Sequence, residues 1–182
     1  GPVLGSSLVA VTVGSAEPRA SLRAGSGPRL GGGELWDRAG WFCDDPGMRD
    51  EVIAFYSVGD PFGELSNFAP FPISLKGKRW PTSEHYFQAQ KFAGTPHEEE
   101  IRRARKPRIA AEMGRDRKRP LRRDWEAVKD AVMTEALRAK FSQQADLRAL
   151  LLSTGDSRLV EHTANDSYWG DGGDGSGKNR LG

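Results

Sequence analysis

Cysteine occurs once in this chain, at Cys43, histidine only three times, and no apolar run approaches the roughly 18 to 20 residues that cross a bilayer. One cysteine excludes an intrachain disulfide framework, and with three scattered histidines it makes a structural zinc site an unfavourable reading. The short stretch LVAVTV at Leu8 to Val13 has no basic flank ahead of it, so it does not read as a secretory signal. These absences lead to the expectation of a soluble protein, free of membrane contact, in a reducing, cytoplasmic compartment.

A dominant charge is missing too, since the net charge is only +2, yet the charges are unevenly spread. Between Arg102 and Arg123 there are eleven Lys or Arg against two acids, Glu112 and Asp116. Such a run attracts phosphates of a nucleic acid, a dinucleotide or a phosphorylated metabolite, or it is simply a solvated helical face. Aromatic residues, by contrast, are plentiful, with five Trp, eight Phe and three Tyr. They anchor cores or stack on bases, and composition does not choose between the two. A chain of 182 residues that is 37% hydrophobic buries one sizeable core, so one folded domain is expected.

Gly1 and Pro2 read as the remnant of a cleaved tag, and the stretch to about Arg49 is dominated by small residues, Pro and Arg. Residues 1–49 are therefore expected to be a flexible extension, with Leu35, Trp36, Trp41 and Phe42 as its docking group. The domain is expected over 50–182. VIAFYS from Val52 reads as a strand, followed by a second extended stretch around Phe71 to Leu75 and a turn at Gly77 toward Arg79 and Trp80, together a small sheet.

Helical signals follow. Thr82 is a good N-cap for a helix to about Phe92; Thr95, Pro96 and Glu98 form a capping-box pattern for a second; Pro107 opens a third that Gly114 would end. Asp124 caps a fourth, whose Trp125, Val128, Val132, Ala136 and Ala139 recur at helical spacing, and a fifth covers about Ala145 to Leu152. With Leu159 to His162 extended, the expectation is a mainly helical α+β domain with a small N-terminal β element.

Three segments are too polar for ordinary packing. Gly63 to Phe68 offers hydroxyl, amide and ring together, through Ser66, Asn67 and Phe68, as a pocket for a sugar and a base would; it also reads as a satisfied turn. In SEHYFQAQKF, Glu84, Gln88 and Lys91 share one helical face, although Glu84 and Lys91 also suit the two ends of the helix dipole. From Asn165 onward the Gly-rich tail lets backbone amides approach a ligand beside Trp169, or is flexible; it is no Walker loop, because Lys178 is followed by Asn179 rather than Ser or Thr.

The blocks FYS, LSNF, WPTSEHYFQAQKF, AAEMGRDR, LRRDWEAVKDAVM, LRALLLSTGD and LVEHTANDSYWGDGGDGSGKNRLG, in that order and spacing, resemble the NADAR, or YbiA-like, family from about Phe55 to Gly182. The sequence departs from it at the end, since related chains usually continue past Leu181 and Gly182 into a final helix. The resemblance implies a multihelical fold and N-glycosidase activity without a metal or redox cofactor. It implies two substrate classes: ADP-ribose attached to guanine, a DNA modification that the enzyme reverses, and early phosphoribosyl intermediates of riboflavin biosynthesis.

Breaking a ribose C1–N bond develops positive charge on the sugar and negative charge on the departing base, and a carboxylate helps the former. Glu84 matches the family's motif glutamate and is expected to protonate the leaving group or ribose, or to stabilise the oxocarbenium-like state. Asp171 is the second candidate acid. Lys91, with its pKa lowered by apolar neighbours, is expected to attack C1 of the opened ribose and form a Schiff base, with Lys178 as the rival lysine. Ser66, Asn67 and Phe68, with Trp125 and Trp169 as stacking or wall residues, and Arg115, Asp116, Asn179 and Arg180 near phosphates or hydroxyls, complete the expected binding set. The expected partners are an ADP-ribose or phosphoribosyl ligand and ADP-ribosylated DNA or RNA. Two non-enzyme readings stay open at this point: a module that only binds ADP-ribose or a nucleotide, and a nucleic-acid binder using the Arg102 to Arg123 face.

Overall fold

Thr82 does what its sequence position predicts: its hydroxyl oxygen accepts the His85 amide N–H and starts helix α1, Ser83–Gln90. In this computed structural model, which describes residues 51–182, α1 is preceded by strands β1 (Val52–Phe55), β2 (Ile73–Leu75) and β3 (Lys78–Trp80). It is followed by helices α2 (Pro96–Arg102), α3 (Pro107–Arg115), α4 (Trp125–Gln143) and α5 (Ala145–Ser153), and by strand β4 (Arg158–Glu161). The expected N-terminal extension, with its tag remnant and docking group, lies outside the described residues. The domain is α+β and multihelical, as expected.

The strands form two small sheets rather than one. β2 and β3 are an antiparallel hairpin, Ile73 opposite Trp80, joined by Lys76 and Gly77 at φ 53° and 70°. Positive φ at both loop positions matches the strand twist. β1 instead pairs in parallel with β4, Val52 opposite Arg158 and Phe55 opposite Glu161, and so joins the two ends of the domain.

Two expected caps are replaced. Thr95 turns its hydroxyl back to donate to the Phe92 carbonyl (2.8 Å), while Glu98 accepts from the Gly94 amide and from Lys78 (each 2.8 Å), so no reciprocal box forms at α2. The tight turn out of α1 leaves orphan groups nearer than the α2 amides, and these side chains satisfy them. Asp124 likewise spends its carboxylate on Arg122, at 2.6 and 2.8 Å, instead of capping α4. α3 also runs one residue past Gly114.

The core lies around α1, which packs against α2, α3 and α4. Trp80, Tyr86, Phe92, Ile101 and Ala136 are buried there, and the apolar face expected of α4 contributes Trp125, Val132, Met133 and Ala139. Every residue of α1 is buried, including Ser83, Glu84, His85, Gln88 and Gln90. A polar helix at the centre of a core is costly unless its groups find partners. Ser83 donates to the Asn67 side chain (3.0 Å), His85 is held between Thr82 (2.8 Å) and the Ala104 carbonyl (3.1 Å), Tyr86 donates to Glu135, and Gln90 accepts from Lys76 (2.9 Å). The remaining polar side chains of this helix face a cleft.

Candidate active site

Glu84 and Gln88 lie one helical turn apart on α1, and Gln88 Nε2 donates to Glu84 Oε1 at 2.7 Å. Around them a cavity of about 220 Å³ is closed by Asn67 and Phe68 from the loop before β2, by Phe87 and Lys91 from α1, and by Arg115 from the end of α3. Its opposite wall comes from the C-terminal part of the chain: Glu161 at the end of β4, then Thr163, Asn165, Asp166 and Trp169. Thus Asn67, Phe68, Glu84, Lys91, Arg115 and Trp169, far apart in sequence, meet in one place.

The electrostatics push the central groups toward their neutral forms. Burial raises the Glu84 carboxyl above its ordinary range, against the opposing pull of Gln88, Lys91 and Arg115. Burial also lowers Lys91, whose ammonium is only partly supported by Glu84. The Lys91 Nζ lies 5.7 and 5.6 Å from the ring centres of Phe87 and Trp125 and donates to the Gly114 carbonyl at 3.2 Å. Glu161, desolvated and facing Asp166 and Glu84, is pushed up to about 7. A protonatable carboxyl, a carboxyl titrating near neutrality and an amine biased toward its free base are what proton transfer combined with nucleophilic attack requires.

The rings form an edge-to-face chain, Trp125 to Phe87 at 5.1 Å and Phe87 to Trp169 at 5.3 Å, giving the cleft a rigid aromatic side. Gly114 permits the close crossing of α3 over α1: a Cβ there would stand 1.9 Å from Gln88 Oε1. Lys140 is the hidden support of the opposite side. It is fully buried on α4, and its Nζ donates to the carbonyls of Ser66 (2.8 Å) and Leu65 (3.3 Å), directly before Asn67 and Phe68. Burial depresses it to about 7, and a neutral amine's two N–H bonds match the two carbonyls.

The remaining expected site residues are placed elsewhere. Asp171 does not reach the cavity: its carboxylate takes the His162 ring (2.7 Å) and the amides of Thr163 (3.0 Å) and Gly173 (2.9 Å), which together hold it down to about 2. Asn179 fastens the tail to β4, accepting from the Glu161 amide (3.0 Å) and donating to the Leu159 carbonyl (2.8 Å). Arg180 pairs with Asp130 at 2.7 Å, and Lys178 stands over the Tyr168 ring at 5.2 Å. The glycines of the tail serve its own folding, for a Cβ at Gly177 would fall 2.4 Å from the Asp171 backbone. Ser66 is buried behind the cleft with its carbonyl on Lys140, Asp116 accepts the Lys118 amide (2.9 Å) at the exposed end of α3, and Trp125 lies beneath Phe87.

Glu161 and Thr163 were not among the expected site residues, and Asn165 and Asp166 were singled out only as the start of the Gly-rich segment, without a role of their own. Their signal is slight, an acid at the end of a short strand followed by a polar turn, and only the β1–β4 pairing brings them opposite Glu84. Of the basic stretch, Arg102, Arg103, Arg108, Arg119 and Arg122 are ion-paired, whereas Arg105, Lys106, Arg115, Arg117, Lys118 and Arg123 make no ion pair with described residues.

With this geometry in view, similar proteins carry weight. The NADAR domain family model matches residues 54–182. An Escherichia coli (strain K12) protein named N-glycosidase YbiA is 64% identical over 135 residues, 74% of this chain and 84% of that protein. A Nostoc punctiforme protein named N-glycosidase Npun_R5314 is 47% identical over 134 residues, 72% of this chain and 86% of that one. A Vibrio vulnificus riboflavin biosynthesis protein, VVA0006, is 42% identical over 135 residues, 74% of this chain but 37% of its own length. The NMR structure of the E. coli YbiA protein superposes with a TM-score of 0.68 at 63% identity, covering 74% of this chain and 80% of that one. By sequence and fold together, the chain belongs to the NADAR domain family.

Proposed function

We propose that the N-glycosidase activity of this chain removes ADP-ribose from ADP-ribosylated guanine in nucleic acid, with Glu84, Glu161 and Lys91 as its chemical groups. The observation that carries this reading is the meeting of two carboxyls shifted upward and a lysine shifted downward in one aromatic cleft, beside Arg115, which has no ion pair with described residues. The chemistry follows from a ribose joined through an exocyclic amine. Its ring opens to an imine at C1, the neutral Lys91 amine adds to that carbon, and the protonated Glu84 gives its proton to the departing base nitrogen as the C1–N bond breaks. The resulting lysine Schiff base is hydrolysed by a water from which Glu161, as carboxylate, takes a proton. This restores the lysine and frees the sugar aldehyde, which closes to the ring.

Phe68, Phe87 and Trp169 suit the flat base, and Asn67 and Arg115 the sugar and its phosphate. The exposed cations Arg105, Lys106 and Arg123 suit a nucleic-acid backbone. A second reading has its own support in the relatives named for riboflavin biosynthesis, at 42% and 41% identity: hydrolysis of an early phosphoribosylamino-pyrimidine, whose scissile bond is of the same kind. The deciding experiment offers both substrates, an oligonucleotide bearing ADP-ribosylated guanine and the riboflavin intermediates, with Glu84→Gln as control and borohydride in a parallel sample. Release of ADP-ribose, abolished in the variant and accompanied by a reduced adduct on Lys91, is expected. Consumption of the pyrimidine substrate alone would hand the site to the second reading.

A further inference from the structure

Beside the cleft lies a larger cavity, about 530 Å³, that shares Lys91 and Arg115 with it as a common wall. Its charge is one-sided in effect although acids are present. Glu126 is already paired with Lys129 (2.6 Å), and Asp116 accepts the Lys118 amide (2.9 Å) and lies 3.7 Å from Arg119. Arg115 and Arg117 have no ionic partner among the described residues. Pro120, the half-exposed Leu121 and the buried Trp125 also line this cavity and add apolar surface. Two free guanidiniums with apolar and aromatic lining beside them suit a phosphate followed by a ring.

We infer that this second cavity holds the outer part of the substrate, the second phosphate and terminal nucleoside of a diphosphate-linked ribose, and thereby selects dinucleotide-type substrates over simple phosphoribosyl ones. The inference rests on the proposed reading of the cleft. With C1 of the ribose at Lys91 and Glu84, Arg115, which belongs to both cavities, is the cation on which the first phosphate would rest. A monophosphate ends there. Only a longer arm reaches Arg117, which lines the second cavity and not the first.

Arg117 is exposed, so Arg117→Ala and Arg117→Glu should leave the fold intact. The test uses ADP-ribosylated guanosine, a nucleoside without a DNA backbone, with free ADP-ribose and ribose 5-phosphate as competing ligands. Loss of one charge-assisted contact is expected to raise KM and the ADP-ribose inhibition constant about 10-fold in the alanine variant, and more in the glutamate variant. kcat and inhibition by ribose 5-phosphate should change less than about twofold. If both ligands weaken equally, or neither does, the second cavity is not the outer subsite and the inference falls while the proposed reaction stands. If the wild-type protein releases no ADP-ribose but consumes the phosphoribosylamino-pyrimidine, the proposed substrate itself is wrong and the inference falls with it.

Discussion

Glu161 and Lys140 show how much one buried titratable group controls, and each gives a prediction with a definite sign. The Glu161 carboxyl is raised from 4.5 to about 7 in the folded protein, so the native state retains a proton that the unfolded chain has lost. Its burial therefore weakens the fold progressively as pH rises from about 4.5 to about 7, with the full cost present above that. Glu161→Gln is expected to raise Tm at pH 8 relative to wild type and to change it little at pH 4. Because the carboxylate form is the one needed as a base, the same variant should also abolish the rise of kcat/KM through pH 7. A pH–rate profile that keeps this limb would remove Glu161 from the chemistry. Lys140 falls from 10.5 to about 7, so its cost is fully present below pH 7 and disappears as pH climbs toward 10.5. Relative to Lys140→Met, whose side chain does not titrate, wild type should accordingly gain stability as pH rises from 7 to 10, measured by urea denaturation. The methionine leaves the Leu65 and Ser66 carbonyls unsatisfied, at about 1–3 kcal/mol for each buried group, and should raise KM by loosening Asn67 and Phe68. Neither role was legible in the sequence. Lys140 continues the buried face of Met133 and Ala136 at helical spacing, but a lysine there reads equally as the solvated end of that face, because its long stem lets the ammonium reach water.

At the scale of the element, α1 is the part most readable and most misread. Its start at Thr82 and its polar stripe of Glu84, Gln88 and Lys91 were visible in the residues, because capping and the 3.6-residue period are local properties. Its complete burial was not, since ordinary amphipathic reasoning sends a polar stripe to solvent. The stripe is instead covered by α3 and the C-terminal wall. Gly114→Ala tests the crossing directly. The added methyl would stand 1.9 Å from Gln88 Oε1 and 2.9 Å from its Cβ, so Gln88 must shift and its hydrogen bond to Glu84 is disturbed. We expect a destabilisation of about 1–3 kcal/mol by chemical denaturation, with a fall in kcat larger than any rise in KM. Replacing Glu84 by Gln should leave stability near wild type while lowering kcat about 100-fold or more, as loss of a proton donor does. The caps read at Thr95 and Asp124 failed for one reason: a side chain that can cap a helix can also satisfy a nearer carbonyl or cation, and local sequence does not rank the two.

At the scale of the molecule, the helices and short strands were legible as a list, while their pairing was not. No periodicity announces that Phe55 will lie opposite Glu161, and without that register Glu161 and Asp166 cannot be assigned to a site with Glu84. The Gly-rich tail misled for a related reason. Its residue types suit ligand binding, but Asp171, Asn179 and Arg180 use their polar atoms to tie the tail to β4 and α4. The β1–β4 pairing also sets the order in which the molecule can assemble. Contacts so distant along the chain form late, because their loop must close before they stabilise anything. Until β4 arrives, Glu161 and the residues after it are missing from the cleft, and Glu84 and Lys91 lack the wall that completes their burial. Catalytic competence is thus a late event in folding: pulse-labelled hydrogen exchange should find the hairpin and α4 protected early, and activity returning only as the β1 and β4 amides become protected.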